Sequence, residues 1–381
     1  MDFSKLLPWE DTYPNSFSRK NQVSTWAFLA LPASWKVVLL ARPAWFDVDS
    51  GIFMSDRFVI LYPYVNVNWE IDKFSTVAEV RSIAIPSKNE LIRHIPDVDL
   101  LVADVDLKVD RDVLNAATRL RAIACTATGV DYVDIAEATR KGIVVTNLPD
   151  YSVEAVAEHT LALMFCLSRN IFSGMKGVLE GRWDEVRFMQ GVEVEGKTLG
   201  IIGLGRIGKR VAEKAQALGM KVIFYDPYVT EEYGREKGYR KKEALVDLLR
   251  DSDFVSIHAF LATETQRMFG EKEFRAMKRT AFFLNVARGG IVDEKALCRA
   301  LQERWIAGAG LDVLNQEPPP KDDPLLRLDN VVVTPHIAWN TKEAERRLIN
   351  QLNQIITSVL RHEFPINVVN PEVKGHWRGI Q

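Results

Sequence analysis

The stretch TLGIIGLGRIG, residues 198–208, decides the fold. An apolar run of strand length leads into GLGRIG, and RIGKRVAEKAQALG continues with the apolar spacing of a helix. Strand, glycine turn and helix in that order are the first unit of a dinucleotide-binding sheet. Gly203 permits the tight turn, Gly205 lets backbone amides approach a pyrophosphate, and Gly208 lets helix and strand pack closely. The helix start offers unpaired N–H groups and a partial positive charge to the anion. GxGxxG alone is a common pattern. Its register is strengthened here by Asp226, closing KVIFYD, because a carboxylate about 20 residues beyond the glycines accepts the adenosine ribose hydroxyls. That acid repels the extra phosphate of NADP, and no arginine follows it in DPYVTEE. The expected cofactor is NAD.

The same alternation runs through the chain on both sides of this turn. After TLGIIG come KVIFYD (221–226), FVSIH (254–258), AFFLNVA (281–287), AGAGLDV (307–313) and VVVTPH (331–336), six strands and so a complete dinucleotide-binding sheet. Before it, KVVLLA (36–41), RFVILY (57–62), DLLVA (99–103), RAIAC (121–125) and GIVVT (142–146) predict five buried strands. Helical patterns lie between them in NELIRHI (89–95), RDVLNAATRL (111–120) and YVDIAEATRK (132–141). The run EAVAEHTLALMFCLSRN (154–170) predicts a long buried helix joining two lobes, and KEAERRLINQLNQIITSVLRH (342–362) an amphipathic one near the end.

The fold class is therefore α/β, with two doubly wound parallel-sheet domains and a cleft between them. At 381 residues the chain is long for one core. Its formal charge of −2 suggests neither a nucleic-acid nor an anionic-membrane partner. WAFLALPA (26–33) is too short to span a bilayer, and Asp2, Pro8 and Pro14 do not make a signal-peptide n-region. Cys125, Cys166 and Cys298 are scattered, which fits a reducing, cytoplasmic setting, and no metal site is assigned. Residues 1–34 read as an extension packing on the body or on a partner subunit. The stretch 63–85 is long for a connection and has room for a lid or a strand.

Nicotinamide chemistry on a keto or hydroxy group needs an acid–base residue and a cation to hold and polarise the substrate. In a doubly wound sheet these belong at strand carboxyl ends. NVARGG (285–290) ends a strand with Arg288, GLDVLNQEPP (310–319) supplies Asp312 and Glu317, and VVVTPH ends with His336. Taken singly, each reads as a surface, loop or structural residue. Their coincidence at the strand ends of one nucleotide-binding sheet reverses that reading.

GLGRIG with its acid, NVARGGIVDEKAL, GAGLDVLNQEP and TPHIAW, in this order, resemble the signatures of the D-isomer-specific 2-hydroxyacid dehydrogenase family, which includes glycerate and hydroxypyruvate dehydrogenases. The resemblance runs from about Leu100 to Val369. It implies a flavodoxin-like substrate domain (1–148 plus 340–381) and a Rossmann NAD-binding domain (149–339). It implies His336 as acid–base residue, Glu317 as its partner and Arg288 as the clamp on the substrate carboxylate. Asp312 would orient the nicotinamide amide, Arg206 and Ile207 would lie along the pyrophosphate, and His258, Val286 and Ala338 would complete the cofactor site. CTATGVDYVD (125–134) resembles the family's substrate loop, with Thr128 and Gly129 at the carboxylate, and Trp339 would wall the substrate's far end or reach a neighbouring subunit. The implied activity is NAD-dependent interconversion of a 2-keto acid and a D-2-hydroxy acid. The arm RNIFSGMKGVLEGRWDEVRF (169–188), with its aromatics, suits a homodimer contact.

Two departures stand out. Phe260 replaces the proline usual after the strand histidine, which alters the backbone beside the cofactor, and Arg304–Trp305 replaces glycine–lysine as a surface change. An alternative of another class is an NAD(H)-sensing, corepressor-like interaction protein on the same fold. Replacing the acid after KVIFY tests the cofactor reading: Asp226→Ala should relax the preference for NAD over NADP in steady-state kinetics, and unchanged discrimination would refute it.

Overall fold

The structure is a computed structural model describing residues 57–63, 70–84 and 87–380. The expected strand 36–41 and the extension 1–34 lie outside the described residues. Among the described residues, two parallel sheets organise the chain.

The first sheet comprises β1 (Val59–Tyr62), β2 (Glu79–Ser82), β3 (Leu100–Ala103), β4 (Ala122–Cys125) and β5 (Val144–Thr146), in the order β2-β1-β3-β4-β5. This is the flavodoxin-like order. The other four strands are buried along their whole length, as expected of strands covered on both faces. β2 is different. It was hidden in the long connection because EVRS is an edge strand and carries charge, Arg81 reaching Asp97 at 2.6 Å. The helices expected at 111–120 and 132–141 are shorter, Arg111–Ala116 and Ile135–Arg140. Their starts are set by the side chains of Asp110 and Asp134, which accept first-turn amides.

The second sheet holds β6 (Thr198–Ile202), β7 (Lys221–Tyr225), β8 (Arg240–Lys241), β9 (Phe254–Ile257), β10 (Phe282–Asn285), β11 (Gly308–Leu311) and β12 (Val331–Val333). Their order is β12-β11-β10-β9-β6-β7-β8. The seventh strand, β8, corrects the expected six: it is two polar residues at an edge, with no apolar run to announce it. The helix Val153–Ser168 packs on this sheet through Leu163, Met164 and Leu167. Its close approach depends on β11, where a Cβ on Gly310 would lie 3.1 Å from that of Leu163. Trp305 corrects the expected surface change. It is buried, with the Arg275 guanidinium 3.6 Å from its ring centre.

The chain then returns to the first sheet. The helix Lys342–Leu360 lays Leu348, Leu352, Ile355, Ile356 and Val359 against β1, β3, β4 and β5. Asn370 fastens the tail by accepting from the Val145 amide at 2.8 Å and donating to the Ile143 carbonyl at 3.0 Å. The arm after the helix Val153–Ser168 leaves Trp183, Leu179 and Phe188 61%, 79% and 72% exposed. No described helix is long and apolar enough to cross a membrane.

If the returning helix is part of the first lobe's core, Leu352→Ala should lower the unfolding free energy by about 2–5 kcal/mol. Chemical denaturation measures this, and a change near zero would contradict the packing.

Candidate active site

Strands of a parallel sheet end on the same side, and both sheets turn those ends to one cavity of about 1050 Å³. The first sheet contributes Asp104 after β3 and residues 126–131 after β4. The second contributes His258, residues 286–288, Asp312 and residues 333–340. His336, Glu317 and Arg288 all line it.

His336 Nδ1 lies 2.6 Å from Glu317 Oε2, a charge-assisted hydrogen bond, and Nε2 has no protein partner among the described residues. The bond from Glu317 raises the imidazole pKa above its ordinary range, against burial and the nearby Arg288 charge. Burial pushes the Glu317 carboxyl up, but the hydrogen bonds from His336 and the Leu314 amide outweigh it, and its pKa is lowered. Protonated His336 with ionised Glu317 is thus the favoured state. As pH rises through the raised imidazole pKa that state is lost; as pH falls through the depressed carboxyl pKa it is lost on the other side.

The backbone at His336 has φ of +54°, the left-handed region that costs a non-glycine residue of order 1–3 kcal/mol. Buried Asp312 holds this turn in place. Its carboxylate accepts from the amides of Ile337 at 3.0 Å and Ala338 at 2.8 Å and from the Thr334 hydroxyl at 2.5 Å, while its carbonyl accepts from the His336 amide. His159, on the helix Val153–Ser168, completes the set, with Nε2 2.9 Å from Thr334 Oγ1. The residue assigned to the nicotinamide amide therefore shapes the histidine turn as well.

Arg288 meets a partner that the sequence did not announce. Its Nε donates to Asp131 at 3.1 Å, from the loop after β4, and Nη1 donates to the Ala287 carbonyl at 2.9 Å. Gly129 lies against the guanidinium, since a Cβ there would fall 2.1 Å from Nη2. The Thr128 hydroxyl is spent on the Leu148 carbonyl at 2.9 Å, whereas the amides of Thr128, Gly129 and Val130 have no hydrogen-bond acceptor among the described residues. A guanidinium edge beside free amides is a cradle for a carboxylate.

The glycine turn follows β6 at the point where the strand order reverses. Gly203 has φ of +87°, and a Cβ there would meet the His258 carbonyl at 2.9 Å. A Cβ on Gly208 would fall 2.2 Å from the Gly203 carbonyl oxygen. Around Gly205 there is open space at the start of the helix Arg206–Ala217, whose first amides have no partner within the helix. Asp226 accepts from the amides of Leu204 and Tyr228, both at 2.8 Å, which places its carboxylate beside the turn. Open space, free amides and this acid fit a dinucleotide. Arg206 does not line the cavity; its guanidinium pairs with Asp150 at 2.7 Å.

Of the remaining expected residues, Ile207, His258, Val286, Ala338 and Trp339 line the cavity. Burial pushes the His258 imidazole down to about 3, so it stands neutral, 2.9 Å from the Ser256 hydroxyl. Phe260 is exposed and lines the cavity too. Trp339 sits beside Tyr151, ring centres 6.1 Å apart. Tyr151, Asp104, Asp106 and Asp131 were not singled out from sequence, though TGVDYVD and PDYS held two of them.

A family profile described as D-isomer specific 2-hydroxyacid dehydrogenase, NAD binding domain, matches residues 161–338. Over 293 residues the chain is 44% identical to a glyoxylate reductase of Korarchaeum cryptofilum, covering 76% of this chain and 88% of that protein. It is also 44% identical to a D-3-phosphoglycerate dehydrogenase of Methanocaldococcus jannaschii, over 77% of this chain and 56% of that one. The crystal structure of D-lactate dehydrogenase from Aquifex aeolicus, complexed with NAD and lactic acid, superposes with a TM-score of 0.72 at 30% identity, over 82% of this chain and 99% of that chain.

The imidazole–carboxylate bond has a direct spectroscopic consequence. In an NMR titration the His336 resonances of Glu317→Gln should report a lower pKa than in the parent protein, and an equal or higher value would contradict the geometry.

Proposed function

The chain belongs to the D-isomer specific 2-hydroxyacid dehydrogenase family, and on that footing we propose that it interconverts a 2-keto acid and a D-2-hydroxy acid with His336, Glu317 and Arg288 as its working residues. The cofactor is NAD. The observation that supports this reading is the meeting of the three side chains on one cavity from separate strand ends.

Gly203, Gly205, Ile207, Gly208 and Asp226 would hold the adenosine and pyrophosphate half, and His258, Val286, Asp312 and Ala338 the nicotinamide half. Bound there, NAD supplies or takes up the hydride. Arg288 and the amides of Thr128 and Gly129 bind the substrate carboxylate and draw electron density from the adjacent carbonyl. His336 holds a proton on Nε2 for the carbonyl oxygen during reduction, and takes it from the hydroxyl in the reverse direction. Glu317 keeps that imidazole protonated and fixes its plane through Nδ1. Trp339 and Tyr151 supply an apolar wall.

Residues 1–148 with 340–381 take the substrate in this reading, and residues 149–339 take NAD. Closure of the cleft would exclude water from the reacting atoms. The exposed apolar side chains of the arm at 169–188 support a homodimer, and three free cysteines support a cytoplasmic setting.

His336→Ala should reduce turnover by about 10²–10⁴-fold while NADH binding persists. The assay is NADH oxidation with glyoxylate, hydroxypyruvate and pyruvate, alongside fluorescence titration of NADH. Wild-type turnover in the variant would defeat the role of His336. Tight NADH binding without activity on any 2-keto acid would favour the nucleotide-sensing alternative.

A further inference from the structure

The side of the cavity built by the first sheet carries a charge pattern that bears on the substrate's tail. In the order β2-β1-β3-β4-β5 the direction reverses between β1 and β3, and ligands bind beyond the carboxyl ends at such a reversal. Asp104 is the first residue after β3 at that point, and Asp106 follows; both line the cavity with His336 and Arg288. The charge of Asp104 is felt at Tyr62, Tyr151 and, in turn, the His336 charge is felt at Asp104. Asp104 thus faces the same space as the acid–base residue.

Among the described residues lining the cavity, Arg288 is the one lysine or arginine. Glu317 matches His336, His258 is neutral, and Asp131 already shares Arg288. The carboxylate common to all 2-keto acids has Arg288 and three free amides to meet it. Among the described residues a second anionic group has no countercharge left, and Asp104 and Asp106 line the space it would enter.

Resting on the dehydrogenase reading, we propose that the cavity selects 2-keto acids with a single anionic group and a tail bearing a hydrogen-bond donor, and that Asp104 is the residue that sets this selectivity. A carboxylate offers about four lone-pair positions. On Asp104 the Val105 amide at 2.7 Å takes one, which leaves capacity for a hydroxyl or ammonium group of a substrate. Burial raises the Asp104 carboxyl, and Asp106 adds to this, while the Val105 amide and the His336 charge pull it back. A phosphate or second carboxylate would have to force a proton onto it or suffer its repulsion. Either course weakens binding.

The test compares kcat/KM with NADH for hydroxypyruvate, pyruvate, oxaloacetate, 3-phosphohydroxypyruvate and 4-methyl-2-oxopentanoate, a monoanion with a bulky uncharged tail, in the parent protein and in Asp104→Asn. Hydroxypyruvate should exceed pyruvate by about tenfold, the worth of one buried hydrogen bond. The two acids with a second anionic group should fall below the bulky monoanion by on the order of tenfold or more, which separates charge from size. Asp104→Asn should narrow the gap between acids with one anionic group and those with two; a merely structural role would lower every substrate in parallel and leave the ratios unmoved. Preference for an acid with two anionic groups, equal use of hydroxypyruvate and pyruvate, or unchanged ratios in the variant would each overturn the proposal. Turnover of no 2-keto acid would instead overturn the dehydrogenase reading, and this inference with it.

Discussion

Parallel strands all deliver their carboxyl ends to one side, and in this protein two such sheets direct those ends at the same space. Everything chemical in the chain follows from that constraint. His336, Glu317, Arg288 and Asp312 come from the ends of three neighbouring strands, β10, β11 and β12, or from the loops they enter. The loops proposed to meet the substrate follow β3 and β4 of the other sheet. The returning helix Lys342–Leu360 keeps the first sheet covered and ties residues far apart in sequence into one core.

Within the cavity both cationic groups are answered by a carboxylate. Glu317 answers His336 and Asp131 answers Arg288. Each pair leaves one functional edge unspent: Nε2 of the imidazole, and the guanidinium edge beside Gly129. The strained turn at His336 persists because buried Asp312 satisfies three donors around it, so the local cost is offset by a network that leaves few alternatives. Rigidity of this kind keeps the imidazole in place, as its proposed role as proton donor requires.

Much of this was legible from residue order. Buried strands announce themselves as apolar runs, and GLGRIG could be placed because strand and helix flank it. What escaped had physical reasons. β2 and β8 are edge strands built from charged residues, so they lack the apolar signal. Trp305 looked superficial because its neighbours Arg304 and Glu303 are polar, yet its ring is sandwiched under Arg275. The partnership of Arg288 with Asp131 spans two sheets, and no local pattern encodes it. Asp104 reads as a loop acid until β3 is seen beside β1 at the reversal of strand order.

In the proposed reaction this cavity passes a hydride and a proton to opposite ends of one carbonyl. Incubating the protein with NADH deuterated at both nicotinamide C4 positions and a 2-keto acid, then determining the product's configuration and isotope content, tests it most directly. The account predicts a D-2-hydroxy acid carrying one deuterium at C2. A product of L configuration, or one without deuterium at that carbon, would contradict it.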